Sequence, residues 1–188
     1  MAQAKTLTSK ELRRVLDYIA TRQHAERNRA MLLLTHWAGM RVGEVAALRI
    51  GDVVNKDGSI KAEIRLDAAQ TKGKHARVVY VNEKLRREIA VYVKHAECKD
   101  ANKHFFITQK RTSFSPNTLC QSINKIYFDA GIEGATSHSG RRSMITSLAA
   151  KGVGVRVLAA LAGHRSIQTT QVYIDVNDAM KRAAVELI

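Results

Sequence analysis

The sequence predicts a mainly α-helical fold with one small antiparallel β-sheet. Apolar residues recur at helical spacing over most of the chain, beginning with Leu12, Val15, Leu16 and Ile19. Between residues 50 and 82 the period changes: Ile60, Ala62, Ile64 and Leu66 alternate with Lys61, Glu63 and Arg65, the mark of a half-buried strand. No repeat, low-complexity tract or long linker interrupts the pattern. The length of 188 residues and the hydrophobic fraction of 45% suit one domain with a core of its own.

Each element has its own signal. Thr8-Ser9-Lys10-Glu11 reads as a capping box that starts the first helix. A second helix over about 26–38 carries Met31, Leu32, Leu33, Leu34 and Trp37, too apolar for a surface, and Gly39 ends it. Residues 42–48 read as a short third helix. Asn55-Lys56-Asp57-Gly58 is a turn signal, and 77–81 is a partner strand for 60–66, giving a sheet of two or three strands. The polar loop 71–75 joins them. Asn82 caps a helix with Leu85, Ile89, Tyr92 and Val93 on one face. Phe105-Phe106-Ile107 reads as a buried extended segment. Ser115-Pro116 starts a helix that Gly131 stops. Helices follow over 139–150 and over 155–162, the latter ending at Gly163. Ser166 caps a short helix bearing Tyr173, and Asn177 caps a last one running to Leu187.

Charge narrows the function classes. Thirty-one Lys and Arg against 17 Asp and Glu leave a net charge of +14. Such an excess repels itself in a compact fold unless a polyanion relieves it. With aromatic content of only 5%, there are few platforms for stacking single strands. Double-stranded DNA is therefore the expected partner, and no small-molecule substrate is expected. The two cysteines, Cys98 and Cys120, form no disulfide framework, and no apolar run is long enough for a membrane span, so a cytoplasmic setting is expected.

The chemistry gathers in the last third. His138-Ser139-Gly140-Arg141-Arg142 is followed by Gly163-His164-Arg165-Ser166 and then by Tyr173. Cleaving a phosphodiester without a metal sets three tasks. Charge on the phosphorus must be neutralised, the nucleophile must lose a proton, and the leaving 5′-oxygen must gain one. Arginine suits the first task because its planar fork matches two phosphate oxygens. Arg41 and Arg141 are the candidates for that clamp, with Glu44 as an orienting partner of Arg41. Lysine suits donation to the leaving oxygen, and Lys72 and Lys74 of the polar loop are both available for it. Lys74, Arg77, Arg142 and Arg165 are candidate contacts to the DNA backbone. His24, His36, His75, His95 and His104 carry no comparable context. Tyr80, Tyr92 and Tyr127 are read as core. There is no zinc-ligand spacing, no GxxxxGK[ST] loop and no carboxylate pair for two metals, so no metal and no cofactor is expected.

The order and spacing of these residues closely resemble the active-site boxes of the tyrosine recombinases, the phage-integrase family. The segment Ala38-Gly39-Met40-Arg41-Val42-Gly43-Glu44 resembles the first box, and His138 to Tyr173 resembles the second. Lys72, with its Lys-Gly-x-x-x-Arg spacing to Arg77, resembles the lysine of the family's β-hairpin. Arg142 departs from the histidine often found after the arginine of the second box. The resemblance, over roughly 8–176, implies the tyrosine recombinase catalytic-domain fold. It also implies site-specific recombination or integration through a 3′-phosphotyrosyl intermediate. Tyr173 would be the nucleophile, His138 would assist its deprotonation or orient the phosphate, and His164 would donate to a phosphate oxygen. It further implies a tetramer on DNA, a prokaryotic or viral origin, and a C-terminal helix over 177–188 that docks on a neighbouring subunit. Family members typically carry an N-terminal core-binding domain. Here the first catalytic helix begins near residue 8, so 1–188 is read as a single catalytic domain with that domain absent. Two other readings share the residues: a type IB topoisomerase-like relaxing enzyme, and a non-catalytic DNA-binding regulator of the same fold.

Overall fold

The computed structural model describes residues 4–71, 73–96, 100–174 and 178–186. Helix α1 (Ser9–Ala20) begins at the capping box: Thr8 Oγ1 accepts from the Glu11 N–H at 3.2 Å, and a Glu11 carboxylate oxygen accepts from the Thr8 N–H at 2.9 Å. Helix α2 (Ala25–Trp37) is the centre of the molecule. Six consecutive residues, 30–35, are buried, so this stretch is covered on every side, while the polar first turns, 25–29, are half-buried. Helices α3 (Val42–Ala47) and α4 (Ile50–Val53) follow.

Strands β1 (Glu63–Leu66) and β2 (Arg77–Tyr80) form a two-stranded antiparallel sheet with Ile64 opposite Val79 and Glu63 opposite Tyr80. The remaining helices are α5 (Glu83–Ala96), α6 (Pro116–Asp129), α7 (Ser139–Ala150), α8 (Val155–Ala162), α9 (Ile167–Gln171) and α10 (Asp178–Val185). Among the described residues no helix is long and apolar enough to cross a membrane.

Two contacts set the frame of the site. Arg29 on α2 grips Glu88 on α5 with both hydrogen bonds at 2.6 Å. Helix α7 lies against α2 at Gly140, where any Cβ would collide with Thr35 Oγ1. This small residue lets the backbone carrying Arg141 sit directly on the central helix.

Several sequence expectations are corrected. The first strand begins at Glu63 rather than residue 60; Ile60 instead makes an isolated bridge with Val54. Helix α4 and a 3-10 turn (Ala68–Gln70) were not anticipated. Both are one-turn elements held by a side chain returning to the preceding backbone, Asp52 to the Arg49 N–H at 2.8 Å and Gln70 to the Asp67 N–H at 2.8 Å. Too short for a periodic signal, they are fixed by these local bonds. Tyr80 is not core: it is 58% exposed, because it alternates with the inward Val79. Phe105 and Phe106 are buried beside Tyr92, whereas Ile107 points outward. Helix α9 stops at Gln171, so Tyr173 lies in the turn beyond its end. The Asn177 cap lies outside the described residues.

Candidate active site

The site is organised by the C-terminal end of α8. A helix ends with carbonyls that lack intrahelical donors, and its dipole makes that end negative. Gly163, left-handed at φ 61, caps α8 and turns the chain away. Its neighbouring carbonyls are then taken by three arginines from distant segments. Arg77 Nη1 donates to Leu161 O at 3.0 Å, Arg141 Nη2 donates to Ala162 O, and Arg41 Nη2 donates to Gly163 O at 3.3 Å. Three guanidiniums thus meet around one helix terminus.

Each arrives by a local device. Gly39, left-handed at φ 62, ends α2 and sends the chain into α3, placing Arg41 at the helix start. Arg141 sits on the first turn of α7, 5% exposed, and its Nη1 also donates to Gly39 O at 2.6 Å. Arg77 opens β2 and packs so closely on Gly163 that a Cβ there would stand 2.7 Å from its Cδ.

Glu44, 1% exposed, faces two of these cations. It accepts from Arg41 Nη1 at 3.0 Å and from the Arg41 N–H at 2.8 Å. It also accepts from Arg77 Nη2 at 2.6 Å and from Arg77 Nε at 3.2 Å. Burial pushes its carboxyl up, but the Arg77 hydrogen bond and charge, with those of Arg41, outweigh burial and hold it below the usual range.

Three cations against one carboxylate leave the cluster short of negative charge. Burial pushes Arg141 down to about 9, and the charges of Arg41 and Arg77 add to this, while Glu44 and Tyr173 act the other way. His164 is pushed down to about 4, first by burial and then by Arg141, Arg41 and Arg77, so its imidazole is neutral at pH 7. His164 Nδ1 lies 2.8 Å from Oγ1 of the buried Thr170.

Tyr173 completes the group. Its ring stacks on His164, with centroids 5.9 Å apart and planes at 17°. The Arg142 guanidinium lies over the same ring, 5.3 Å from its centroid. Thr146 Oγ1 donates to Tyr173 O at 3.3 Å. Tyr173 is half-buried, and the His164 it stacks on borders a cleft of about 390 Å³ together with Arg41, Thr71, Gly73, Arg77 and Arg165.

The structure therefore brings together Arg41, Arg141, His164 and Tyr173. His138, one turn before Arg141 at the start of α7, is exposed, and no hydrogen bond or ring contact among the described residues ties its imidazole to those four. Lys72 lies outside the described residues; its neighbours Thr71 and Gly73 border the cleft. Of the backbone candidates, Lys74 and Arg165 are exposed, whereas Arg77 and Arg142 are engaged within the protein. Sequence reasoning missed Thr170 and the α8 carbonyls, because a hydroxyl six residues from His164 and a bare helix end carry no motif. A larger hollow of about 700 Å³ between α1, α2 and α7 contains none of these residues.

This arrangement can hold an oxyanion against the guanidiniums of Arg41 and Arg141, with a neutral imidazole and a phenol at its edge. The chain is 31% identical over 185 residues to tyrosine recombinase XerA of Pyrococcus horikoshii, covering 97% of this chain and 60% of the relative. It is 29% identical to transposase A of transposon Tn554 from Staphylococcus aureus, covering 94% and 50%. The chain thus spans between half and two thirds of the length of these relatives. The crystal structure of XerA recombinase superposes with a TM-score of 0.79 at 25% identity, covering 100% of this chain and 64% of that one. XerH recombinase bound to palindromic difH substrate shares the fold with a TM-score of 0.72 at 23% identity, covering 96% and 51%. The profile of the phage integrase family matches residues 5–180, nearly everything from the segment before α1 to α10, and the chain belongs to that family.

Proposed function

We propose that this protein is a site-specific DNA recombinase or integrase that breaks and rejoins DNA through Tyr173, without a metal or other cofactor. The observation that carries the reading is the convergence of Arg41, Arg141, His164 and Tyr173 around the end of α8. The Tyr173 oxygen attacks the phosphorus, forming a tyrosyl–phosphorus bond as the bond to the 5′-oxygen breaks. His138, one turn from Arg141, assists the loss of the phenolic proton or orients the phosphate, and the neutral His164 donates a hydrogen bond to a phosphate oxygen. The 5′-oxygen leaves with a proton from Lys72, or from Lys74 if that residue takes the role. Arg41 and Arg141 hold the non-bridging oxygens while negative charge builds. A 5′-hydroxyl from a partner duplex then reverses the step, so the bond energy is kept.

Lys74 and Arg165 meet the backbone of the flanking duplex, a reading supported by the exposure of both side chains. Residues 1–188 act as one catalytic domain. Two duplexes imply four copies, and the segment 177–188 docks one copy on the next. The setting is the cytoplasm. Relatives named as recombinases and a transposase favour strand exchange over relaxation of a single duplex.

The test is a suicide duplex nicked beside the cleavage point. Wild type forms a denaturant-resistant protein–DNA adduct and Tyr173→Phe forms none. No adduct from wild type, or an equal one from Tyr173→Phe, overturns the reading; relaxation of supercoils without strand exchange selects the topoisomerase-like alternative.

A further inference from the structure

Arg142 is spent on neither the solvent nor the arginine cluster. Its guanidinium covers the Tyr173 ring, and its Nε donates to Thr6 Oγ1 at 3.1 Å. A cation over an aromatic face within about 6 Å is attracted to the ring, more strongly when water is partly excluded, and Arg142 is half-buried. Tyr173 needs such a hold. It lies beyond the end of α9, where among the described residues its backbone bonds to the Thr170 carbonyl at 3.0 Å and the Thr146 hydroxyl at 3.3 Å. A phenol on a turn can swing, and in-line attack tolerates little swing.

Thr6 belongs to the segment that runs over the first turns of α7 before α1 begins. That segment is tied down on both sides of Thr6. Lys5 N–H donates to Gly134 O at 3.2 Å, and Leu7 N–H donates to Ser143 Oγ at 2.7 Å. Ser143 in turn donates to Ser139 O at 2.7 Å, within the helix that carries Arg141. Arg142 therefore joins a well-anchored strand to the proposed nucleophile.

We propose that Arg142 is a positioning residue: held by Thr6, it clamps the Tyr173 ring in its attacking orientation, so that the segment entering α1 sets the geometry of the nucleophile. The proposal rests on Tyr173 being the nucleophile. It gives Arg142 a role inside the protein rather than on the DNA backbone.

The experiment compares two nucleophiles on the same suicide duplex. With tyrosine as nucleophile, Arg142→Met slows adduct formation by about 10- to 100-fold at saturating DNA. The DNA concentration for half-saturation stays within about twofold of wild type, as expected when the nucleophile's orientation and not a DNA contact is lost. Thr6→Val slows it less, and the double variant is no slower than Arg142→Met alone, as expected of residues acting in series. In a Tyr173→Phe background, hydrogen peroxide supplies the nucleophile: its oxygen bonds to phosphorus and the 5′-hydroxyl departs. There Arg142→Met leaves the cleavage rate unchanged, because no phenol needs to be held. An equal fall in both arms, or a rise in the half-saturating DNA concentration matching the fall in rate, overturns the proposal and assigns Arg142 to DNA or to folding. Full adduct formation by Arg142→Met also overturns it. Absence of an adduct from wild type sinks the proposed function instead.

Discussion

Arg77 and Glu44 form a two-point ion pair, Nη2 to one carboxylate oxygen at 2.6 Å and Nε to the other at 3.2 Å, with Glu44 1% exposed. The pair links the hairpin to α3, whose start presents Arg41, and Arg77 continues to the end of α8 through Leu161 O. One guanidinium thus holds together three segments that meet nowhere in the sequence.

Removing the carboxylate leaves three buried or half-buried cations with nothing between them. Glu44→Ala is expected to lose about 3–5 kcal/mol of stability, the usual cost of orphaning a buried charge. Urea denaturation measures it. Arg77→Met combined with Glu44→Ala should cost less than the sum of the single changes, because each alone strands the other's charge.

Acid should destabilise the free protein. His164 and His36 are both pushed down to about 4 from an ordinary 6.5, His36 by burial and His164 by burial and the arginines. Between those values the unfolded chain binds more protons than the folded one, so stability rises with pH. The contribution is complete above about pH 6.5 and is lost as pH falls toward 4. Melting temperatures across that range should decline, and His36→Phe should flatten the decline, since His36 Nδ1 has no hydrogen-bond partner among the described residues.

Polyanions should stabilise and should be sensitive to salt. Arg141 is pushed down to about 9 by burial and by its cationic neighbours, so a bound phosphate relieves a repulsion already present. A cognate duplex is expected to raise the melting temperature. Its affinity should fall at least about tenfold between 50 and 200 mM salt, which contacts to only two phosphates would produce. A flat response would remove phosphate contacts as the source of affinity.

Lys72→Ala should abolish cleavage of an ordinary duplex. A substrate with sulfur at the 5′-bridging position has a leaving group that needs no acid, so cleavage of it should return. Continued failure on the sulfur substrate counts against Lys72 as the donor, and the same pair of measurements on Lys74→Ala decides between the two lysines.

Gly140→Ala should destabilise by about 1–3 kcal/mol in thermal or urea melts, since the new methyl meets Thr35 and α7 must move off α2. Movement of Arg141 with the helix should cut adduct formation further than the loss of stability accounts for.

Elements with a strong period or a capping motif were legible in the chain: α1 from its Thr8–Glu11 box, α6 from Ser115-Pro116, and the core alternation of β1. Helix α4 and the 3-10 turn were not, because a single turn has no period and rests on one returning side chain. The end of α9 was misplaced by the same token: nothing in Thr169-Thr170-Gln171-Val172-Tyr173 marks where hydrogen bonding stops. The site residues could be named from their types and order, and Glu44 as a partner of Arg41 from their three-residue spacing on a helix. What Arg77 and Arg142 do could not. Both are arginines on a basic chain, and whether such a side chain meets a phosphate or a neighbour depends on what the fold sets beside it.

The amino-acid order by itself determined the mainly helical class, the single small sheet and the basic character, and it named the candidates for clamp, imidazoles and phenol, because these depend on local periodicity, local capping and residue chemistry. Tertiary structure alone decided that three arginines, 36 to 100 residues apart along the chain, share the end of one helix, and that Tyr173 is held by Arg142 and His164. Unpaired carbonyls at the α8 terminus attract whichever donors packing delivers, and only the closure of α7 on α2 and of the hairpin on α8 delivers these.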